Sequence, residues 1–445
     1  MSNFICVSPK HAHHFFGFHD LIAFNKSDDK LLSLEVDIIN RPPLPMENAK
    51  VGYIRLTDNR FVQLGYTCAF NYPQGARQQW IDNDLFIVNN RVGDCWGADI
   101  YDVSSGKKVD TINSTCHCLS KDGKYAFGLN YARLHRLGGY GYIGLEDFSG
   151  NENMPIDDGI YVTNLERKQT KLLVSIREVA LFDRNSSLQS SSFHHYLTHA
   201  CVSPDGKRIA FLHRFVLPDG GLRTRLMTIG TDGNGLRCLA AGFLSHFDWK
   251  DDNTLFIYGR INTAIDKMRN SRILALPLMP QLVKLGKKML QVGLKKTMSG
   301  NMGFMLITDE DGVLPLDATS GVITTDGHPM FCPTNRNLIV CDTYPDKEHC
   351  RDLFFYDFAS GERKNIGIFK MWNEKVDMSL SHSFLSGIDS SILRNVVSVD
   401  QISFTRSGLH CDLHPRWNYW GTKIAFDSIH ESTRQIYTFD LEQKK

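Results

Sequence analysis

A short apolar strand that runs into a polar turn and out into a second apolar strand recurs along this chain. It reads Ile22-Ala23-Phe24-Asn25-Lys26-Ser27-Asp28-Asp29-Lys30-Leu31-Leu32 near the start. It returns as Cys118-Leu119-Ser120-Lys121-Asp122-Gly123-Lys124-Tyr125-Ala126-Phe127 and as Cys201-Val202-Ser203-Pro204-Asp205-Gly206-Lys207-Arg208-Ile209-Ala210-Phe211. Weaker copies begin at Phe247, Phe331 and Trp417. One such unit cannot bury its apolar face alone, so the copies must stack around a common axis. The pattern predicts an all-β fold, a β-propeller. A propeller presents ligands at the mouth of its central channel.

Seven blades are expected at about 16–62, 63–110, 111–178, 190–240, 241–320, 321–370 and 402–445, within one domain spanning 1–445. The N-terminal segment is expected to close the ring by pairing into the last blade, which removes free sheet edges. Two stretches break the rhythm. Residues 264–300 read as a helical insertion, with Leu278, Leu282, Leu285, Met289, Leu290 and Leu294 set among lysines. A basic amphipathic helix over 278–296 suits a peripheral membrane or protein contact, or a lid packed on the propeller. A second insertion, 373–400, is expected to be partly helical.

Fifty basic residues against 49 acidic ones leave a net charge of +1, so no global field attracts nucleic acid. There is no apolar run long enough to span a membrane and no secretory-type N-terminus. Eleven cysteines in no framework pattern suit free thiols in a reducing compartment. These features predict a cytoplasmic location, with the basic helix allowing contact with the inner membrane. Gly139-Tyr140-Gly141-Tyr142-Ile143-Gly144 has dinucleotide-fingerprint spacing but lacks the strand–helix setting that chemistry requires, so no nucleotide cofactor is expected. Zinc-finger, Walker and nucleophile-elbow patterns are missing.

Two constellations carry chemistry. Seventeen histidines cluster near strand starts. Residues two apart on a strand share a face, so Asp412 and His414 project together. With His246, and with His328 as a fourth member, they make a set suited to a divalent metal. The other constellation is basic and aromatic: Arg91, then Arg133, His135 and Arg136, then Tyr140 and Tyr142, with His213, Arg214, Arg223 and Arg225 further on. Guanidinium forks grip carboxylates and tyrosines stack on sugars or donate protons, which suggests an anionic ligand such as a uronic acid. Single members of either set also serve as strand-end hydrogen bonds or cross-blade ion pairs.

Several motifs then resemble the seven-bladed propeller polysaccharide lyases, including oligogalacturonate lyase and the ulvan-lyase-like proteins. They are Gly17-Phe18-His19-Asp20, Tyr131-Ala132-Arg133-Leu134-His135-Arg136 with Gly139-Tyr140-Gly141-Tyr142, Ser245-His246-Phe247-Asp248-Trp249, Asp326-Gly327-His328, Cys341-Asp342-Thr343-Tyr344-Pro345-Asp346 and Cys411-Asp412-Leu413-His414-Pro415-Arg416-Trp417. The resemblance runs from about residue 14 to 441. It implies β-elimination at C4 of a uronic acid in an acidic oligo- or polysaccharide, with His199 matching the catalytic base. It also implies metal positions at His246, Asp412 and His414, and a divalent ion (Mn, Zn or Ca). Leu409 falls where the family places a glutamine ligand, so the metal site is altered. By the same resemblance His135 or His117, with Arg214 and Tyr140 or Tyr196, are acid–base candidates. Arg91, Arg133, His117, Tyr142, His213 and Arg223 are expected to bind substrate. The rival expectations are another glycan-processing role in surface polysaccharide synthesis, or a propeller scaffold without catalysis.

Overall fold

The structure, a computed structural model, describes residues 4–150, 152–182, 193–216, 222–261, 302–372, 374–395 and 398–441. The helical insertion and the basic helix expected within 264–300 lie outside the described residues.

The repeated phrase owes its shape to one side chain per copy. Asn25 Oδ1 accepts the backbone N–H groups of Asp29 and Lys30 at 3.1 and 3.0 Å, and Asn418 Oδ1 accepts those of Thr422 and Lys423 at 2.9 and 3.0 Å. Ser120 and Ser203 do the same through Oγ, at 2.9 and 3.0 Å, for Tyr125 and Arg208. Each turn then needs one left-handed residue, supplied by Asp28 (φ 55°), Gly123 (71°), Gly206 (79°) and Gly421 (67°). The apolar runs on either side pair in antiparallel register.

The described residues form five four-stranded sheets and one seven-stranded sheet, all antiparallel, as in a β-propeller. The seven-stranded sheet turns on the long strand Arg237–Trp249. Residues 237–242 of this strand pair back to Leu222–Gly230 and 242–249 pair forward to Thr254–Ile261, with a register break between Leu244 and Phe247. This sheet occupies the stretch of the fourth and fifth expected blades. The second insertion is partly helical and longer than expected: helices lie at Ser381–Phe384, Ser390–Asn395 and Val399–Arg406, the last running past 400 into the stretch expected to open the seventh blade, where the last sheet's first strand is Arg416–Trp417.

Seams between sheets repeat a device as well. The indole N–H of Trp80 donates to the Ala23 carbonyl at 2.9 Å, that of Trp249 to Cys201 at 3.0 Å, and that of Trp417 to Met330 at 3.0 Å. Trp80 and Trp417 thereby tie their own inner strands to the preceding sheet, and Trp249 ties the two halves of the seven-stranded sheet, each while burying a large apolar face. The ring closes as expected: Ile5–Cys6 pairs with the final strand Gln435–Asp440. Beneath it the fully buried Asp427 accepts the N–H groups of Phe16 and Gly17, at 3.2 Å each, and pairs with Arg416 at 3.0 Å.

Candidate functional site

Chain entering the inner strands delivers a histidine to the axis again and again. His199 lies at the register break of the strand His195–Val202, and His246 at the break of Arg237–Trp249. A bulge of this kind re-aims a side chain that plain alternation would send elsewhere. His199 (φ 58°) and His414 (φ 44°) hold left-handed backbone without being glycine, a strain that clusters at functional positions. Phe18 sits among them, its ring centroid 5.1 Å from His199, 5.0 Å from His414 and 4.4 Å from His19. The His328 ring lies 4.1 Å from His246 and 4.3 Å from His414.

The imidazoles are held from behind. Asp342 lies 2.7 Å from His328 Nδ1 and also accepts the His414 backbone N–H at 3.1 Å. Asp326 lies 3.1 Å from His246 Nδ1. Arg351 meets Asp412 Oδ1 at 2.6 Å, which leaves Oδ2 facing His328, His410 and His414 at 4.0, 3.6 and 3.8 Å. Burial holds the His414 pKa well below the ordinary value, and the neighbouring His328 adds to the effect. Burial also opposes a charge on His328, but Asp342 outweighs it and the pKa rises. Asp412 resists burial through Arg351 and the nearby histidines and stays well below the carboxylate range.

His328, Asp412 and His414 bring one ligand atom each within 4.8 Å of one another. The nitrogens of His414 are buried and have no hydrogen-bond partner among the described residues. Two imidazoles and one carboxylate oxygen, with Asp342 orienting one ring, fit a nitrogen-tolerant divalent ion such as zinc better than calcium, which takes oxygen ligands. His246 stands next to this group rather than within it.

Beside the histidines lies a cavity of about 190 Å³ lined by His199, Tyr140, Tyr196, Arg214 and Arg406. Burial, then Asp412, pushes the Tyr140 phenol up to about 12, so it carries its proton. Burial, then Arg214, holds His199 well below its ordinary value, so it is a neutral imidazole. Its Nδ1 lies 2.9 Å from Thr198 Oγ1. No ion pair joins Arg214 or Arg406 to a carboxylate among the described residues, and Arg214 Nε is buried without a hydrogen-bond partner there. Burial lowers the Arg406 pKa to about 10, with Tyr140 and Tyr196 acting against it.

The structure thus brings together His199, Arg214 and Tyr140 in one cavity, and His328, Asp412 and His414 with His246 at the axis. Other expected substrate residues lie elsewhere. Arg133 is a buried strut, donating to the carbonyls of His195, Glu152 and Asn153 and to Ser149 Oγ. Tyr142 stacks on Tyr131 at 4.1 Å and accepts from Asn89 at 2.9 Å. His213 stacks on His195, with a 3.0 Å contact between ring nitrogens. His117 is buried with Nδ1 2.7 Å from the Tyr131 hydroxyl. Arg91 is exposed and pairs with Asp94, and Arg223 is buried in the strand Leu222–Gly230 without lining the cavity. His135 lines a neighbouring cavity with both nitrogens engaged, Nε2 by the Ser386 carbonyl at 2.6 Å and Nδ1 by Arg406 at 2.9 Å. Asp326 and Asp342 stood within motifs quoted from the sequence but without a role, and Arg351 and Arg406 were not singled out. An arginine in an insertion and an acid behind a ring carry no periodic signal.

No family model matches the chain, and no curated protein matches it. Among solved structures it is similar to oligogalacturonate lyase from Vibrio parahaemolyticus, with a TM-score of 0.57 and 11% identity over 100% of this chain and 95% of that one. An oligogalacturonate lyase in complex with manganese aligns over 99% of this chain and 93% of that one, with a TM-score of 0.40 and 11% identity. A puromycin hydrolase aligns over 98% of this chain and 53% of that one, with a TM-score of 0.48 and 12% identity. At such identities the likeness speaks for the fold alone, and that fold is the β-propeller.

Proposed function

We propose that the cavity binds a uronic-acid residue of an acidic glycan and cleaves its C4–O bond by β-elimination. One observation carries this reading: two guanidiniums with no carboxylate partner among the described residues share a small cavity with a neutral imidazole and two phenols. A bound carboxylate supplies the missing negative charge. The guanidiniums in turn stabilise the charge that develops on it as the C5 proton leaves. The His199 imidazole takes that proton, a C4–C5 double bond forms, the C4–O bond breaks, and Tyr140 gives its proton to the departing oxygen. When bound, a divalent ion held by His328, Asp412 and His414 supplies fixed positive charge to the channel.

The test is the ultraviolet absorbance of the unsaturated uronate product during incubation with a panel of uronic-acid polysaccharides and oligosaccharides. The expected result is a rise in wild type that falls by about 10²–10⁴-fold in His199→Ala. A flat trace across the panel from folded protein overturns elimination. Saturable binding to the same panel with a flat trace would instead favour a glycan-binding role without catalysis.

A further inference from the structure

Arg406 does not belong to any sheet. It ends the helix Val399–Arg406, whose first turn is capped by Ser398 Oγ accepting the Gln401 N–H at 3.1 Å, and whose Ile402 is buried against the propeller. The insertion is fixed to the helix Tyr131–Arg136 at separate points. The Asp389 N–H donates to the Arg136 carbonyl at 2.9 Å, and Arg406 donates to the carbonyls of His135 and Gly139 at 3.2 and 2.7 Å.

A guanidinium has no lone pair to offer, so the 2.9 Å contact between Arg406 Nη1 and His135 Nδ1 makes Nδ1 the acceptor. That fixes the tautomer: Nε2 carries the proton and donates to Ser386. All three of these acceptors on Arg406 are neutral. They orient the fork towards the cavity but do not balance its charge, and a buried charge lacking a counter-ion is costly. Arg214, on the strand Arg208–Val216, faces the same space from the propeller side.

We infer that Arg406 and Arg214 form a two-arginine clamp for the ligand's carboxylate, that His135 is the positioning residue of Arg406, and that the insertion supplies half of the anion site. This rests on the reading that the ligand is acidic. It assigns the insertion a part in selecting acidic over neutral sugars.

The experiment is calorimetric titration with galacturonate, galactose and inorganic sulfate, on wild type, Arg406→Gln, Arg406→Lys, Arg214→Gln and His135→Gln. Melting curves screen for folding, and Arg406→Lys keeps the charge where Arg406→Gln fails to fold. The expected result is a preference for galacturonate over galactose in wild type that drops about 10-fold or more in Arg406→Gln. Arg406→Lys and His135→Gln are expected to lower the same ratio less, since they keep a charge but lose the fixed fork. A ratio unchanged in Arg406→Gln and Arg406→Lys but abolished in Arg214→Gln overturns the clamp while leaving the uronate reading intact. Sulfate binding that depends on both arginines, with no galacturonate binding, supports the clamp and overturns the uronate reading. No binding of either anion to wild type overturns both.

Discussion

His199 shows how much one residue can hold. It sits on a bulge, with left-handed backbone, neutral and buried, between a histidine-lined axis and a cavity carrying two arginines. The histidine set sharpens two expectations. The first concerns metal: zinc or manganese titrated calorimetrically should bind wild type, and His328→Ala or His414→Ala should weaken that binding by at least about 10-fold. Binding that is indifferent to both substitutions would place the ion elsewhere. The second concerns acid. Burial, then Arg406, holds His135 at about 3, while an unfolded histidine titrates near 6.5. The unfolded chain therefore takes up a proton first as pH falls, so the stability tied to neutral His135 is complete above about 6.5 and is lost progressively towards 3. At pH 5 the loss is about 2 kcal/mol. Asp158 and Asp248, raised to about 6 chiefly by burial, act in the opposite sense between about 4 and 6. Measured by denaturant unfolding, the stability change from pH 7.5 to 5 should be about 2 kcal/mol less unfavourable in His135→Gln than in wild type. An identical difference would show that His135 does not carry the effect.

At the level of the strand–turn–strand element, the structure and the sequence agree most closely. The polar turn between two apolar strands was legible because it repeats, whereas the Asn or Ser that anchors it and the residue that turns left-handed come from the structure. The inward residues were legible only in part. Asp412 and His414 do converge, but through a left-handed turn ahead of the strand Arg416–Trp417 rather than by alternation along it. Arg133 and Tyr142 looked like ligand residues because a structural arginine and a binding arginine are the same side chain. The carbonyls around Arg133 and the buried Asp147 and Asp158 beside it tell them apart, and these come from other segments. The turn logic yields a graded test. A Cβ at Gly421 would sit 2.4 Å from Thr334 Oγ1 and 2.5 Å from Cys332 Sγ, whereas one at Gly361 meets nothing within 4 Å, although both glycines are left-handed. Gly361→Ala should cost about 1 kcal/mol from backbone strain alone, and Gly421→Ala about 1–3 kcal/mol more. Equal denaturant midpoints for the two variants would contradict the close packing of that seam.

Across the whole molecule, buried apolar clusters span neighbouring sheets, and polar ties cross the same seams. Asp427 is the densest of them, joining the last sheet to Phe16 and Gly17 of the first while facing Arg416 and Arg434. Removing its carboxylate strands a buried guanidinium, so Asp427→Ala should lower stability by about 3–5 kcal/mol. Its urea midpoint should fall with an unchanged slope, and a midpoint within error of wild type would show that closure does not depend on this residue. The closing strand has a mechanical consequence too. Ile5 sits opposite Thr438 and Cys6 opposite Tyr437 in antiparallel register, so the chain before Ile5 and the chain after Asp440 leave the sheet at the same end. Tension applied through those two segments would load the pairs one after another rather than together. A pull of this kind would open the clasp from its end inward, pair by pair.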